Sequence, residues 1–188
     1  MQNWDIFFEH YQPSPSYRDD AAAARACQLA ATAGRLGTYA VGAVLLDSNG
    51  DVVTEGHNEV FVGDFRSDLH AEMVVLNKFE GQQQGQFKPV DLTLVSSLEP
   101  CPMCMARIIY AGVGTIRYVC DDPYAGMVTR KKSLPPLIQQ FSNDLSQVWE
   151  QAQCSEELKE AAFHIWEQSR EQANRRQVER GVNRPSGA

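Results

Sequence analysis

Two short stretches hold the residue types that do chemistry. Cys101 and Cys104 stand three positions apart in SLEPCPMC (97–104), and His70 and Glu72 stand two apart in HAE (70–72). Taken alone, a Cys-x-x-C can be a redox couple, half of a structural zinc clip or part of a catalytic metal site. The remaining cysteines, Cys27, Cys120 and Cys154, leave an odd total of five with only one close pair. That is not the dense, even pattern of a secreted disulfide scaffold. The three lie on apolar faces and are expected to be small core residues.

The elements that must position these groups can be read from periodicity and breakers. DDAAAARACQLAATAGRL, from Asp19, has helical spacing, an acidic start and Gly37 at its end. YAVGAVLLD (39–47) and DVVTEGHN (51–58) predict two strands joined around Asn49-Gly50. HAEMVVLNKFE (70–80) predicts a helix, followed by a polar GQQQGQ linker. VDLTLVSS (90–97) and TIRYVC (115–120) predict strands on either side of a helix, PMCMARIIYAG (102–112). Pro102 suits that helix's first position and Gly112 its end. After a loop, DDPYAGMVTRKKSLPP, the pattern predicts two more helices, about Leu137 to Gln151 and from Ser155 to 178. Residues 1–18 read as an arm with one short helix, and the residues after 178 as a frayed tail. The expected organisation is one domain over 1–188, with its core at 19–121 and C-terminal helices at 137–178. This order implies a single sheet covered by helices, an α/β sandwich. The strand-helix-strand units favour parallel pairing there, beside an antiparallel hairpin.

Together the two stretches make the pattern H-x-E…P-C-x-x-C, which resembles the zinc deaminases of the cytidine deaminase-like superfamily. The branch it is most similar to holds guanine, cytosine and tRNA adenosine deaminases. The resemblance runs from about Tyr39 to Asp121. It implies a three-layer α-β-α sandwich with a mixed central sheet of about five strands. It also implies one catalytic Zn²⁺ held by His70, Cys101 and Cys104. Three protein ligands leave the fourth tetrahedral position to water, as in a catalytic rather than a structural site. Helix N-termini favour the thiolate that zinc needs. Glu72, two residues from His70, is poorly placed to be a further ligand and well placed to carry protons. His57 reads as a strand end rather than a fourth ligand.

The same resemblance marks Asn58, at the end of the second strand, as a base contact, since an amide can both donate and accept. Val41 to Val44 matches an apolar segment that packs on the base, with Ala43 and Val44 as the contacts. In the loop after the fourth strand, Asp121 or Asp122 could read a donor edge, with Asp122 the one singled out, and Tyr124 could stack. The basic run Arg130-Lys131-Lys132 reads equally as a phosphate site or as a solvated loop. The expected reaction is hydrolytic loss of an exocyclic amino group as ammonia. The expected substrate is a small nucleobase or nucleoside, foremost a free base such as guanine or cytosine. The alternatives are tRNA adenosine, a nucleotide, or a non-catalytic zinc scaffold. A net charge of -7 gives no general pull toward polyanions, so nucleic acid is not the favoured partner. No run approaches the length of a membrane helix and the start does not read as a signal peptide, so a cytoplasmic protein is expected. A homodimer is expected from the resemblance alone.

Overall fold

The computed structural model describes residues 4–82 and 85–182. Five strands form one sheet in the order β2-β1-β3-β4-β5. β1 (Gly42–Leu46) runs antiparallel to both β2 (Val52–His57) and β3 (Thr93–Leu98). β3, β4 (Thr115–Cys120) and β5 (Val148–Gln151) are parallel. The sheet is therefore mixed, with the hairpin at one edge as the sequence implies.

The hairpin turns on Asp47. Its carboxylate accepts the backbone N–H of Asn49 and Asp51, and Gly50 takes a positive φ of 86°. An L side chain would resist that backbone, so the Asn-Gly pair is what allows the turn.

Helices cover both faces. α2 (Asp20–Arg35) and α6 (Glu156–Val182) pack together on one side, with α1 (Trp4–His10) outside α2. α3 (Ala71–Gln82) and α4 (Pro102–Ala111) cover the other side, with α5 (Pro136–Asp144) against α4. α2 approaches the sheet very closely because its inner face is mostly alanine: Ala23, Ala26, Ala30 and Ala33 are fully buried. A Cβ on Gly42 would fall 2.3 Å from the Ala26 carbonyl oxygen, so only glycine fits at that point of β1.

The core between the layers is apolar, with Leu45, Leu76, Leu94, Ile108, Ile116 and Leu158 wholly inaccessible. Burial of each such side chain contributes about 1.5–3 kcal/mol. Cys27, Cys120 and Cys154 are buried among them, as expected from their apolar faces.

The C-terminal third differs from the sequence reading. The expected helix over 137–151 is a shorter helix, α5, followed by strand β5. Ser146 adopts a left-handed φ of 51° and ends the helical course. Gln147 then donates its amide to the Val113 carbonyl (2.8 Å), and Val148 N–H bonds the Gly114 carbonyl (2.9 Å). The strand exists because β4 has an open edge to fill, and short VWEQ carries too little alternation to announce it. The tail expected to fray after 178 remains helical to Val182. Arg180 lies over the Phe65 ring and ties the last turns to a loop far away in sequence. Residues 183–188 lie outside the described residues. Among the described residues no helix is long and apolar enough to cross a membrane.

Candidate active site

The two chemical stretches meet because each lies where a helix begins. Cys101 is the extended residue ahead of α4, with Pro102 at the first helical position. Cys101 O accepts the N–H of Met105 at 2.8 Å, and this first turn brings Cys104 back toward Cys101. His70 stands just before α3, and its carbonyl accepts the Val74 N–H at 2.9 Å. Glu72 is in the first turn of α3. Both helix N-termini thus face the same place, and each favours negative charge there.

The ligand atoms of His70, Cys101 and Cys104 lie within 4.8 Å of one another. The sulfurs of Cys101 and Cys104 are each 3.6 Å from Nδ1 of His70. A tetrahedral zinc with nitrogen at about 2.0–2.1 Å and sulfur at about 2.3 Å holds those two atoms about 3.6 Å apart. The cluster therefore has the spacing that zinc requires. The Cys104 thiol, the His70 ring and the helix start together bring the Cys101 thiol down to about 4. Cys104 is the proton-holding partner of that pair, pushed up by its bond to Cys101 and by burial. An ion binding here would displace the second proton, so binding is coupled to proton release.

Glu72 is almost fully buried. One carboxylate oxygen accepts from the Ser96 hydroxyl (3.3 Å) and the other from the Cys104 thiol (3.4 Å). Burial, and then the charge of Cys101, raise it above the ordinary carboxylate value. Its side chain still reaches the cavity, so a buried carboxylate stands beside the cluster.

The cavity has a volume of about 510 Å³, room for a base with a sugar or a similar group. His70, Glu72 and Cys101 line its floor. Asn58, Asp122 and Tyr124 line it as well, so three of the residues singled out as substrate contacts face the same space. Asn58 is fixed: its Oδ1 accepts from the Thr38 hydroxyl (2.5 Å) and from the Val60 N–H (3.1 Å). That leaves its Nδ2 as the free donor, which makes no hydrogen bond among the described residues. Asp122 uses Oδ1 to accept the N–H groups of Tyr124 (2.9 Å) and Ala125 (3.0 Å), which shapes the loop.

Ala43 and Val44 are placed differently. Both are completely buried in β1 and neither lines the cavity; Val41, just before the strand, does so instead. The apolar segment packs under the site, and its contact with the cavity comes two residues earlier than the sequence pattern suggests. Arg130, Lys131 and Lys132 do not line the cavity either. Arg130 bonds the Pro123 carbonyl and Lys131 lies over the Trp149 ring.

Sequence reasoning missed Glu99, although it sits inside the SLEPCPMC stretch. One of its carboxylate oxygens accepts from the N–H (3.0 Å) and hydroxyl (3.4 Å) of Thr129, and the other from the Asp122 N–H (3.3 Å). It ties the loop that bears Asp122 and Tyr124 to the metal-binding turn. Gly126 makes room for it, since a Cβ there would lie 2.0 Å from Glu99 Oε2. Tyr39, Trp166, Arg170 and Asn174 also line the cavity, and no local signal marks them.

Comparison with known proteins agrees with this geometry. Residues 16–120 match the cytidine and deoxycytidylate deaminase zinc-binding region, and the chain belongs to that family. The cluster of His70, Cys101 and Cys104, able to hold a metal, falls inside that zinc-binding region. Among curated relatives, the tRNA(Ile)-lysidine synthase of Deinococcus radiodurans is 36% identical over 106 residues, 56% of this chain and 18% of that one. The tRNA-specific adenosine deaminase of Bacillus subtilis is 33% identical over 90 residues, 48% of this chain and 54% of that one. The chain thus spans no more than about half the length of these two relatives. Among solved structures, a guanine deaminase from Nitrosomonas europaea superposes with a TM-score of 0.62. It covers 90% of this chain and 93% of that one at 16% identity, which establishes the shared fold.

Proposed function

We propose that the protein is a zinc-dependent aminohydrolase that removes an exocyclic amino group from a small nucleobase or nucleoside, foremost a free base such as guanine or cytosine. The observation that carries this reading is the buried Glu72 carboxylate, which opens onto a base-sized cavity beside the His70, Cys101 and Cys104 cluster. When bound, zinc supplies Lewis acidity, lowering the pKa of a water toward neutrality. His70, Cys101 and Cys104 hold the ion. Glu72 accepts the proton that the attacking water gives up and returns protons to the ring nitrogen and the departing amine. Water and the amine exchange, so the ring carbon gains an oxygen and ammonia leaves. Asn58 donates from Nδ2 to an acceptor on the base edge, and its two accepted hydrogen bonds keep it from flipping. Tyr124 stacks on the ring, and the second oxygen of Asp122 accepts from a ring donor. The protein acts in the cytoplasm as a homodimer in this reading.

A second reading, tRNA adenosine deamination, is supported by the 33% identity to the Bacillus subtilis enzyme. An ammonia-release screen over free bases, nucleosides, nucleotides and a tRNA anticodon stem-loop separates the two. The expected result is turnover of a base or nucleoside, reduced about a thousandfold or more in Glu72→Ala. Wild-type rates in Glu72→Ala would sink the mechanism. Turnover of the stem-loop with a steep salt dependence would favour the second reading.

A further inference from the structure

The outer wall of the cavity comes from a part of the chain beyond the family region, which ends at residue 120. α6 places Trp166, Arg170, Asn174 and Gln177 along it, one helical face read at intervals of four, four and three residues. The Arg170 guanidinium lies 4.4 Å from the centre of the Tyr124 ring and 5.7 Å from that of Trp166. The two rings are 5.8 Å apart. Glu167 accepts from Nε (3.0 Å) and Nη2 (2.7 Å) of the same guanidinium. Arg170 is thus stacked on one side and paired on another. It serves as a flat, held piece of wall rather than a free anion receptor.

The charges around it point the same way. Arg170 is the one Lys or Arg among the described residues that lines the cavity, against the carboxylates of Glu72, Glu99 and Asp122. A phosphate brought here would face the carboxylates of Glu99 and Asp122 and a guanidinium already engaged. A neutral group would fare better. Asn174 keeps its Nδ2 free while its Oδ1 accepts from the Tyr39 hydroxyl (2.9 Å). Ser67 and Gln177 make no side-chain hydrogen bond among the described residues, and they stand on the same rim, where a hydroxyl could be met.

Resting on the deaminase reading, we propose that α6 is the specificity element of this site. Its Trp166–Arg170 face, stacked on Tyr124, receives an uncharged base or nucleoside, while the carboxylates of Glu99 and Asp122 opposite it turn away phosphate-bearing substrates, nucleotide and RNA alike.

The test measures affinity apart from turnover. Calorimetry on the zinc-loaded Glu72→Gln full chain compares base, nucleoside, 5′-monophosphate and a stem-loop RNA in the guanine, cytosine and adenine series. In the series that binds, the monophosphate and the RNA are expected to bind at least about tenfold more weakly than the neutral ligand. Adding Arg170→Gln should weaken the neutral ligand about fivefold, and Arg170→Lys, which keeps charge but not the plane, should not restore it. In the otherwise unchanged chain, Arg170→Gln should raise KM by more than it lowers kcat. A monophosphate or RNA that binds as tightly as the base overturns the proposal. So does Arg170→Gln with unaltered neutral-ligand affinity, or no binding in any series. Ammonia release by the unmutated protein is scored separately. If it is absent across the panel the deaminase reading fails, while the order of affinities still decides the role of α6.

Discussion

The floor and the outer wall of the cavity are built in different ways. The floor is set by four groups from two helix starts: His70, Glu72 and Cys101 line it, and Cys104, buried behind them, completes the cluster. Within each start the groups are two or three residues apart, so local backbone sets their geometry. The wall takes Tyr39 from the run before β1, Tyr124 from the loop after β4, and Trp166, Arg170 and Asn174 from α6. No two of these three segments are neighbours in sequence, and ring stacking and hydrogen bonds between them hold the wall together. The geometry within each half of the floor is therefore local, whereas the wall is assembled at long range. Substitutions in the floor should abolish the reaction, whereas substitutions in the wall should change what reacts.

The largest effect that tests this contrast comes from the floor. Cys104→Ser should lower the zinc content measured by atomic absorption from about one ion per chain to a small fraction. Ammonia release should fall with it by three orders of magnitude or more, since a hydroxyl is a far poorer zinc ligand than a thiolate. Full zinc and full activity in that variant would remove Cys104 from the site and blur the distinction. Asn58→Ala lies between floor and wall. We expect KM to rise roughly 10- to 100-fold through loss of a buried donor to the base. Steady-state kinetics on the best base would show it, and an unchanged KM would mean that the base is read elsewhere.

Smaller effects test how the wall is anchored. Asp20, at the start of α2, accepts the N–H of Ser14 and of Ser155 (each 2.7 Å) and the Tyr11 hydroxyl (2.7 Å). It thereby joins α2 to the residue that precedes α6. Burial alone would raise its pKa, but these donors outweigh that and hold it below the ordinary 3.8. A depressed carboxylate stabilises the fold above its unfolded pKa and loses that contribution as pH falls through the lower folded value. Asp20→Asn should therefore cost about 2 kcal/mol in urea unfolding at pH 7. Its difference from the parent should shrink as pH falls below about 3.8. A difference that stays constant with pH would mean that the charge is not what anchors α6. The smallest effect is a control away from both regions. Arg25 and Glu55 form an ion pair, each about a third or more exposed. Arg25→Ala should change stability by less than about 1 kcal/mol and leave turnover alone. A larger loss would show that the α2–β2 face contributes more to the site than its exposure implies.

Legibility in the sequence follows the same division. Every strand bounded by a clear breaker was readable: Gly50 after β1, Asn58 after β2, and Pro102 starting the helix after β3. β5 was not, because Val148 and Trp149 take strand form only by pairing with Thr115 and Ile116. Asn58, Asp122 and Tyr124 reach the cavity, whereas Ala43 and Val44 lie beneath it. The period-two rule says that neighbours in a strand face opposite sides, but not which layer closes over each side. α2 lies tight on Gly42 and α3 also packs on β1, so the strand is covered and Val41, before it begins, makes the contact.

By itself the sequence carried the α/β class in its order of elements and, through its resemblance to the zinc deaminases, singled out His70, Cys101 and Cys104 with Glu72 beside them. Spacing within one helical turn sets each pair, and the resemblance is what joined the two pairs. Only the tertiary structure decided that α6 returns across the cavity and that Arg170 stacks on the ring of Tyr124. Those contacts join residues more than forty positions apart. Their energy comes from ring stacking and packing that no local pattern records.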